Sequence, residues 1–367
     1  MKRLKKIIIS ILVLFFISCS EETITINFTN TKELPCKIIF EPTLYEAQGI
    51  LFFAMQEQQF VYSKLVSYLV KNQTIKETIF SIPFEQGRID EIAITSTQLA
   101  FSVLEKEGEG VLQKIYLYSI EENSHAKEIV VYHRTYETIF PLQLTLGERE
   151  LYWIYQNSQE SRSSIFSYNF ETKQIQQIVS APFTTEGFGP SILFLSIGDD
   201  ILFHDQMNDD RYRIGGYDIL AQTYQWWFLL PKEHKINFKG HYNNEQNTIV
   251  LYGEGAEGDI LYQVDILTGF IRKFINFTNN ARIYRDNIQI SKYGLYYTVQ
   301  TQSLKIAPQF FCIEYYDFKQ KKVFKKNGFD VSVGKDYLAT LSFISNTLEG
   351  GVTFKLGKIK KETAQFN

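Results

Sequence analysis

The chain has 367 residues, 44% of them hydrophobic and 15% aromatic, which excludes a disordered or collagen-like polymer and supplies a large core. Its formal net charge is -3, and the cations Lys2, Arg3, Lys5 and Lys6 stand before residue 19 with no acid among them, so residues 19–367 hold 34 basic against 41 acidic groups. An acidic body argues against nucleic acid as a partner, because that affinity comes largely from Lys and Arg neutralising phosphates.

Residues Ile7 to Ile17 form an apolar run of eleven residues broken only by Ser10. A helix that spans a bilayer needs roughly 20 residues, so the basic start and short apolar run read as a signal peptide over 1–18, not an anchor. The next four residues, Phe16-Ile17-Ser18-Cys19, resemble the lipobox of bacterial lipoprotein precursors, with Phe16 where Leu is usual. That resemblance implies cleavage before Cys19, a diacylglyceryl thioether on its sulfur, and an acyl chain such as palmitate on its amine. It places the chain outside the cytoplasm on a bacterial membrane, inner or outer left open. An ordinary secretory signal and an uncleaved anchor are the alternatives. Lipid on one residue suffices as an anchor, since each buried CH₂ contributes about 0.8 kcal/mol and two or more chains hold stably. Residues 19–35 then form the lipidated N-terminus and a polar tether, whose alternating Ile24, Ile26 and Phe28 could make an extra strand.

From residue 36 to 367 the sequence repeats. An apolar strand ending in an aromatic or aliphatic residue, often followed by Asp or Asn, leads into a polar turn and a second strand. Taking Tyr68, Tyr118, Tyr168, Tyr217, Val264, Tyr316 and Leu356 as equivalent, the spacings are 50, 50, 49, 47, 52 and 40. A second ladder begins near Leu51, Leu99, Leu151, Leu202, Val250, Leu295 and Leu338, each preceded by turn residues such as Gly147-Glu148 or Gly198-Asp199-Asp200. Each unit holds four short β-runs, here A to D. Four strands per unit of this length with no helical period predict an all-β fold, a β-propeller of seven four-stranded blades; six or eight blades are the alternatives. The elements Tyr217-Asp218-Ile219 and Val264-Asp265-Ile266-Leu267-Thr268-Gly269 resemble those of extracytoplasmic propeller repeats of the TolB-like, YVTN and quinoprotein types. That resemblance implies a fold, not a chemistry.

No catalytic constellation emerges. The histidines are His125, His133, His204, His234 and His241, without a metal-ligand spacing, although folding could gather His133, His204 and His234 at one rim; the metal question stays open. Gly253 to Asp259 is glycine-rich but lies between two predicted strands, which suits a hairpin better than a phosphate loop. Cys36 and Cys312 could pair, or could be two small buried hydrophobes. Quinone-binding propellers are similar around Val264 to Phe274, but Phe274 stands where their tryptophan is expected, and no cofactor is predicted.

Charge is more suggestive. If the strand order holds, the B to C loops open on one face and carry Glu57, Glu105, Glu107, Glu109, Glu160, Asp205, Asp209, Asp210, Glu254, Glu257, Asp259 and Glu349. Asp205, Asp209, Asp210, Glu254, Glu257 and Asp259 form the candidate acidic binding face, suited to a cationic ligand, a divalent ion or a basic protein. Solvated loop charge is the plainer reading. The C to D turns lean basic. The function expected is a membrane-anchored scaffold that binds another envelope protein or a small ligand. An exported glycan hydrolase or lyase is the alternative.

Overall fold

The computed structural model describes residues 22–34, 36–38, 43–45, 49–57, 62–69, 71–72, 74–122, 125–135, 142–157, 162–182, 195–197, 200–206, 212–218, 221, 223–229, 235–236, 241–243, 248–254, 258–265, 267–277, 281–290, 294–301, 311–328, 330–334, 337–343 and 352–363. All of the regular elements among them are strands. In chain order, β1 (Glu22–Leu34) comes first and pairs with the last strand, far away in sequence. The first sheet then holds β2 (Cys36–Ile38), β3 (Thr43–Tyr45), β4 (Ile50–Glu57), β5 (Tyr62–Leu69) and β6 (Thr74–Pro83). The second has β7 (Gly87–Ile94), β8 (Gln98–Glu107), β9 (Gly110–Ser119) and β10 (Lys127–Thr135). The third has β11 (Leu144–Leu146), β12 (Glu150–Asn157), β13 (Arg162–Asn169) and β14 (Ile175–Pro182). The fourth has β15 (Leu195–Ile197), β16 (Asp200–Gln206), β17 (Tyr212–Asp218) and β18 (Thr223–Leu229).

The fifth sheet comprises β19 (Lys235–Ile236), β20 (His241–Asn243), β21 (Thr248–Glu254), β22 (Asp259–Asp265) and β23 (Ile271–Asn276). The sixth comprises β24 (Arg282–Ile290), β25 (Gly294–Gln300), β26 (Phe311–Asp317) and β27 (Lys322–Asn327). The last comprises β28 (Asp330–Val333), β29 (Tyr337–Phe343) and β30 (Val352–Thr363), with β1 as its outer strand. Residues 22–34, expected as a polar tether or an extra strand, are therefore a strand. Its pairing joins the two ends of the repeat array and covers the edge of β30 that would otherwise template aggregation.

Every pairing in these sheets is antiparallel, as short hairpins require. Five sheets have four strands and two have five, so the expectation of uniform four-stranded units needs correction. In the first and fifth sheets the A strand is split: β2 and β3 both pair with β4, and β19 and β20 both pair with β21. The A strands elsewhere bend too, with register shifts between Ile89 and Glu91 in β7 and between Ile283 and Ile288 in β24. Bulges of this kind sharpen twist where strands crowd together. The A strands adjoin one another in succession: β7 meets β11, β11 meets β15, β15 meets β20, β20 meets β24, β24 meets β28, and β28 meets β3, while the first and second sheets meet through β5 and β6 against β7.

The core lies between sheets. Phe52, Leu65, Ile89, Phe101 and Val103 are buried where the first and second sheets face each other. Ile115, Leu144, Leu151, Trp153 and Tyr168 fill the seam between the second and third. Val250, Leu261, Phe277, Ile288 and Tyr297 fill the seam between the fifth and sixth. Middle strands such as β4, β8, β12 and β25 are thus buried on both faces, which is why Leu51, Phe52, Phe53 and Ala54 are consecutive, apolar and inaccessible.

Both sequence ladders mark real strand pairs. Tyr68 lies opposite Leu51, Tyr118 opposite Leu99, Tyr168 opposite Leu151, and Tyr316 opposite Leu295. The other three pairs slip by one residue: Tyr217 faces Ile201, Val264 faces Ile249, and Leu356 faces Ala339. A strand apolar on both faces carries no alternation, so its parity cannot be read from pattern.

Candidate binding faces

The strand order assigns two rims. Each B strand connects to its C strand at one rim, and the A to B and C to D turns lie at the other.

At the first rim the expected acids separate by environment. Glu105 sits 2.5 Å from Lys114 Nζ, which also lies 3.7 Å from Glu128. The Glu105 hydrogen bond is the main reason the Lys114 pKa is raised. Glu107 Oε2 lies 2.9 Å from His133 Nδ1, both side chains being more than half exposed. Exposed pairs of this kind contribute about 0–1 kcal/mol and leave the hairpin free to rearrange. Glu109 is exposed at the tip of the same hairpin.

Asp259 requires a correction. It was expected on the open acidic face, but it is 3% exposed and pinned between the fifth and sixth sheets. Its carboxylate accepts hydrogen bonds from Arg282 Nη1 at 2.7 Å and from the Ile283 amide at 2.6 Å. Its backbone accepts from Phe277 N and donates to Ala281 O. Asp259 therefore ties the start of β22 to the connection into the sixth sheet. Of the other five residues, Asp205 and Glu254 lie on β16 and β21, with side chains outside the described set, and Asp209, Asp210 and Glu257 lie outside the described residues. Cys19 does as well.

His133 belongs to the Glu107 pair, and His234 falls outside the described residues. Among the described residues no cluster of three His, Cys, Asp or Glu side chains is positioned to hold a metal. Cys312 is a free thiol, pushed up to about 11 by burial and by the nearby Glu314.

Two features had no sequence signal strong enough to single them out. Asp90 stands at the register shift of β7, the A strand of the second sheet, which adjoins β11. Burial raises its pKa, with Arg88 at 3.9 Å opposing the shift. Arg134, near the end of β10, is 8% exposed and lies 4.0 Å from the Tyr155 ring centroid in the third sheet, with its Nε and Nη2 atoms unpaired. Beside it, Trp153 Nε1 donates to the Tyr132 hydroxyl at 2.8 Å, and the Tyr132 and Tyr155 rings lie 4.3 Å apart. Burial lowers the Arg134 pKa. The arrangement packs a cation on aromatic faces at the seam of two sheets.

At the second rim, the Asp or Asn that follows the repeat aromatic has a definite task. Asn169 Oδ1 accepts from the Glu171 and Thr172 amides, Asp218 Oδ1 from Ala221, Asp265 Oδ1 from Thr268, and Asp317 Oδ1 from Lys319 and Gln320. Each closes the C to D turn onto its own side chain. The Thr268 bonds hold the Asp265 carboxyl below its ordinary range. Positive φ recurs four residues after Asn169, Asp265 and Asp317, at Lys173 (59°), Gly269 (69°) and Lys321 (52°). The residues that resembled a quinone-protein motif, Asp265, Thr268 and Gly269, are thus turn-forming residues.

No family model matches the sequence, and neither does any curated protein. Solved structures do match in shape. The β-propeller domain of the trilobed protease from Pyrococcus furiosus superposes with a TM-score of 0.61 at 13% identity, covering 92% of this chain and 98% of that one. That domain is described as having an open velcro topology, whereas here β1 pairs with β30. The acylaminoacyl peptidase of Pyrococcus horikoshii gives a TM-score of 0.55 at 11% identity over 84% of this chain and 49% of that chain, so this chain spans about half of the peptidase. A chain of Kuenenia stuttgartiensis hydrazine synthase gives 0.53 at 10% identity over 88% and 96%. Identities this low speak to architecture alone, and with the cycle of antiparallel sheets they establish that the chain is an all-β β-propeller.

Proposed function

We propose that this chain is a seven-bladed propeller, lipidated on Cys19 and tethered to a bacterial membrane outside the cytoplasm, that offers its B to C rim to another envelope protein or a small ligand. The supporting observation is the polarity of β1. Glu22 pairs with Thr363, so β1 begins at the rim of the C to D turns, three residues after Cys19. An anchor there leaves the opposite rim, with Glu105, Glu107 and Glu109, facing away from the bilayer. Seven sheets with adjoining A strands support the blade count.

The test is site-specific crosslinking on the native membrane. A photoreactive residue at Glu107 or Glu109 is expected to capture a stoichiometric partner, and one at Thr172 in a C to D turn is not. Neutralising Asp205, Asp209, Asp210, Glu254 and Glu257 together should abolish that capture if these acids line the site. Capture that is unchanged by this variant, or equal from both rims, contradicts the proposal.

Asp90 favours a second reading, a glycan-cleaving enzyme, because a carboxyl with raised pKa on an A strand suits a general acid. Such an enzyme needs a second carboxylate about 5–9.5 Å away. Polysaccharide turnover abolished by Asp90→Asn would establish it.

A further inference from the structure

We infer that the C to D turns of the fifth and sixth sheets form a surface that docks on an anionic lipid bilayer, an inference that rests on the anchor reading above and deepens it. Large apolar side chains are exposed at few described positions, and the two most exposed, Leu267 at 80% and Phe270 at 66%, share one turn. Val323 at 40% and Phe324 at 44% follow at the start of β27, the outer strand of the next sheet round the ring. Apolar side chains gathered at a rim in this way mark an interaction surface.

Charge selects the occupant. Arg272 and Lys273 on β23, and Lys319, Lys321 and Lys322 around the next turn, are all exposed. The acids in these two segments are Asp265 and Asp317, and both carboxylates are turned onto amides of their own turns. Cations flanking exposed Leu and Phe suit the headgroup layer of an anionic membrane, where lysines attract lipid charge and apolar tips enter the acyl boundary. An acidic protein would satisfy the lysines but would give Leu267 and Phe270 no reason to stand so far out.

The tether reaches the same rim. The pairing of β1 with β30 continues for five residue pairs, Glu22–Ile26 with Ile359–Thr363, past the Tyr337 to Lys358 pair at which β29 begins. At 3.3 Å per residue this two-stranded overhang is ~16 Å long. It belongs to the sheet adjoining the sixth, so the disc can tilt about it until the Leu267 turn and Phe324 rest on the headgroups.

The test uses the full chain purified from membranes and reconstituted into vesicles of phosphatidylglycerol and brominated phosphatidylcholine. Leu267→Trp, Phe270→Trp and, at the opposite rim, Glu109→Trp each add one fluorophore, read as the difference from the parent protein. Quenching is expected at 267 and 270 and not at 109. The triple variant Lys319→Glu, Lys321→Glu, Lys322→Glu is expected to cut it about threefold or more, as is omission of phosphatidylglycerol. Absent quenching, equal quenching at all three positions, or failure to float with the vesicles overturns the inference. So does a dimer in detergent that Leu267→Glu dissociates, which would assign the patch to a second copy. The mass of the N-terminal peptide reports separately: unmodified Cys19 defeats the anchor reading while quenching still decides docking, and acylated Cys19 without quenching defeats docking alone.

Discussion

Replacing Asp259 should destabilise the fold more than replacing Glu105, Glu107 or Glu109, because its charge is almost wholly removed from water. The carboxylate is 4% exposed while its partner Arg282 is 31% exposed. Breaking a fully buried pair costs about 3–5 kcal/mol, and the exposed part of Arg282 recovers some of that through hydration. Asp259→Asn keeps a carbonyl acceptor for the Ile283 amide and loses the charge, an expected loss of about 1–2 kcal/mol. Asp259→Ala also strands that amide, for a total of about 3 kcal/mol. For a chain longer than 250 residues each kcal/mol moves the midpoint by about 2 °C, so the expected shifts are ~2–4 °C and ~6 °C. Thermal unfolding followed by near-ultraviolet circular dichroism reads them. If Asp259→Ala unfolds within about 1 °C of the parent, Asp259 is not the buried pin described above and returns to the exposed acidic face.

Gly269 adopts φ 69°, so Gly269→Ala should cost about 1 kcal/mol in chemical denaturation. Gly258→Ala should cost more, because its Cβ would stand 2.6 Å from the Phe277 carbonyl oxygen; equal midpoints for the two variants would show that the chain relaxes there freely. Burial pushes the Tyr132 hydroxyl up to about 12. The unfolded chain ionises near pH 10, so the stability this tyrosine contributes is complete below pH 10 and is lost as pH rises through about 12. Tyrosinate absorbance in the folded protein should show a class that titrates only with unfolding, reduced in Tyr132→Phe; that variant should also lose about 1–2 kcal/mol, as the Trp153 indole N–H loses its acceptor. Deleting residues 22–34 should expose the edge of β30 and produce aggregation in light scattering, whereas a monomeric, cooperatively unfolding product would mean that β1 is dispensable for closure.

The fold was legible because its repeats are chemical. Tyr68, Tyr118 and Tyr168 recur at the same place in each C strand and face the Leu residues of the second ladder, so two independent markers reported one pairing. The Asp or Asn after the aromatic was visible too, and its cause is the turn it closes. Strand parity in the fourth, fifth and last sheets was not legible, since the B-strand runs Ile201-Leu202-Phe203, Ile249-Val250-Leu251 and Tyr337-Leu338-Ala339 are apolar without alternation. The splitting of the A strands in the first and fifth sheets had no sequence marker either. On the acidic face, charge alone could not separate Glu109, exposed at a hairpin tip, from Asp259, whose partner lies 23 residues further on. Distant pairing of that kind is set by how one sheet docks on the next. Arg134 and Asp90 were missed for the same reason: one charged residue in a strand reads as surface until a neighbouring sheet buries it.

The most direct test of the central claim is the membrane fractionation of the native chain and its Cys19→Ala variant. A lipid-tethered propeller should stay with the membrane at high salt and at alkaline carbonate, and should enter solution in detergent. The variant should lose the acyl mass on its N-terminal peptide and leave the high-salt membrane fraction as a folded, protease-resistant body. A variant that remains membrane-bound at high salt with unchanged resistance to carbonate would contradict the claim and locate the anchor elsewhere.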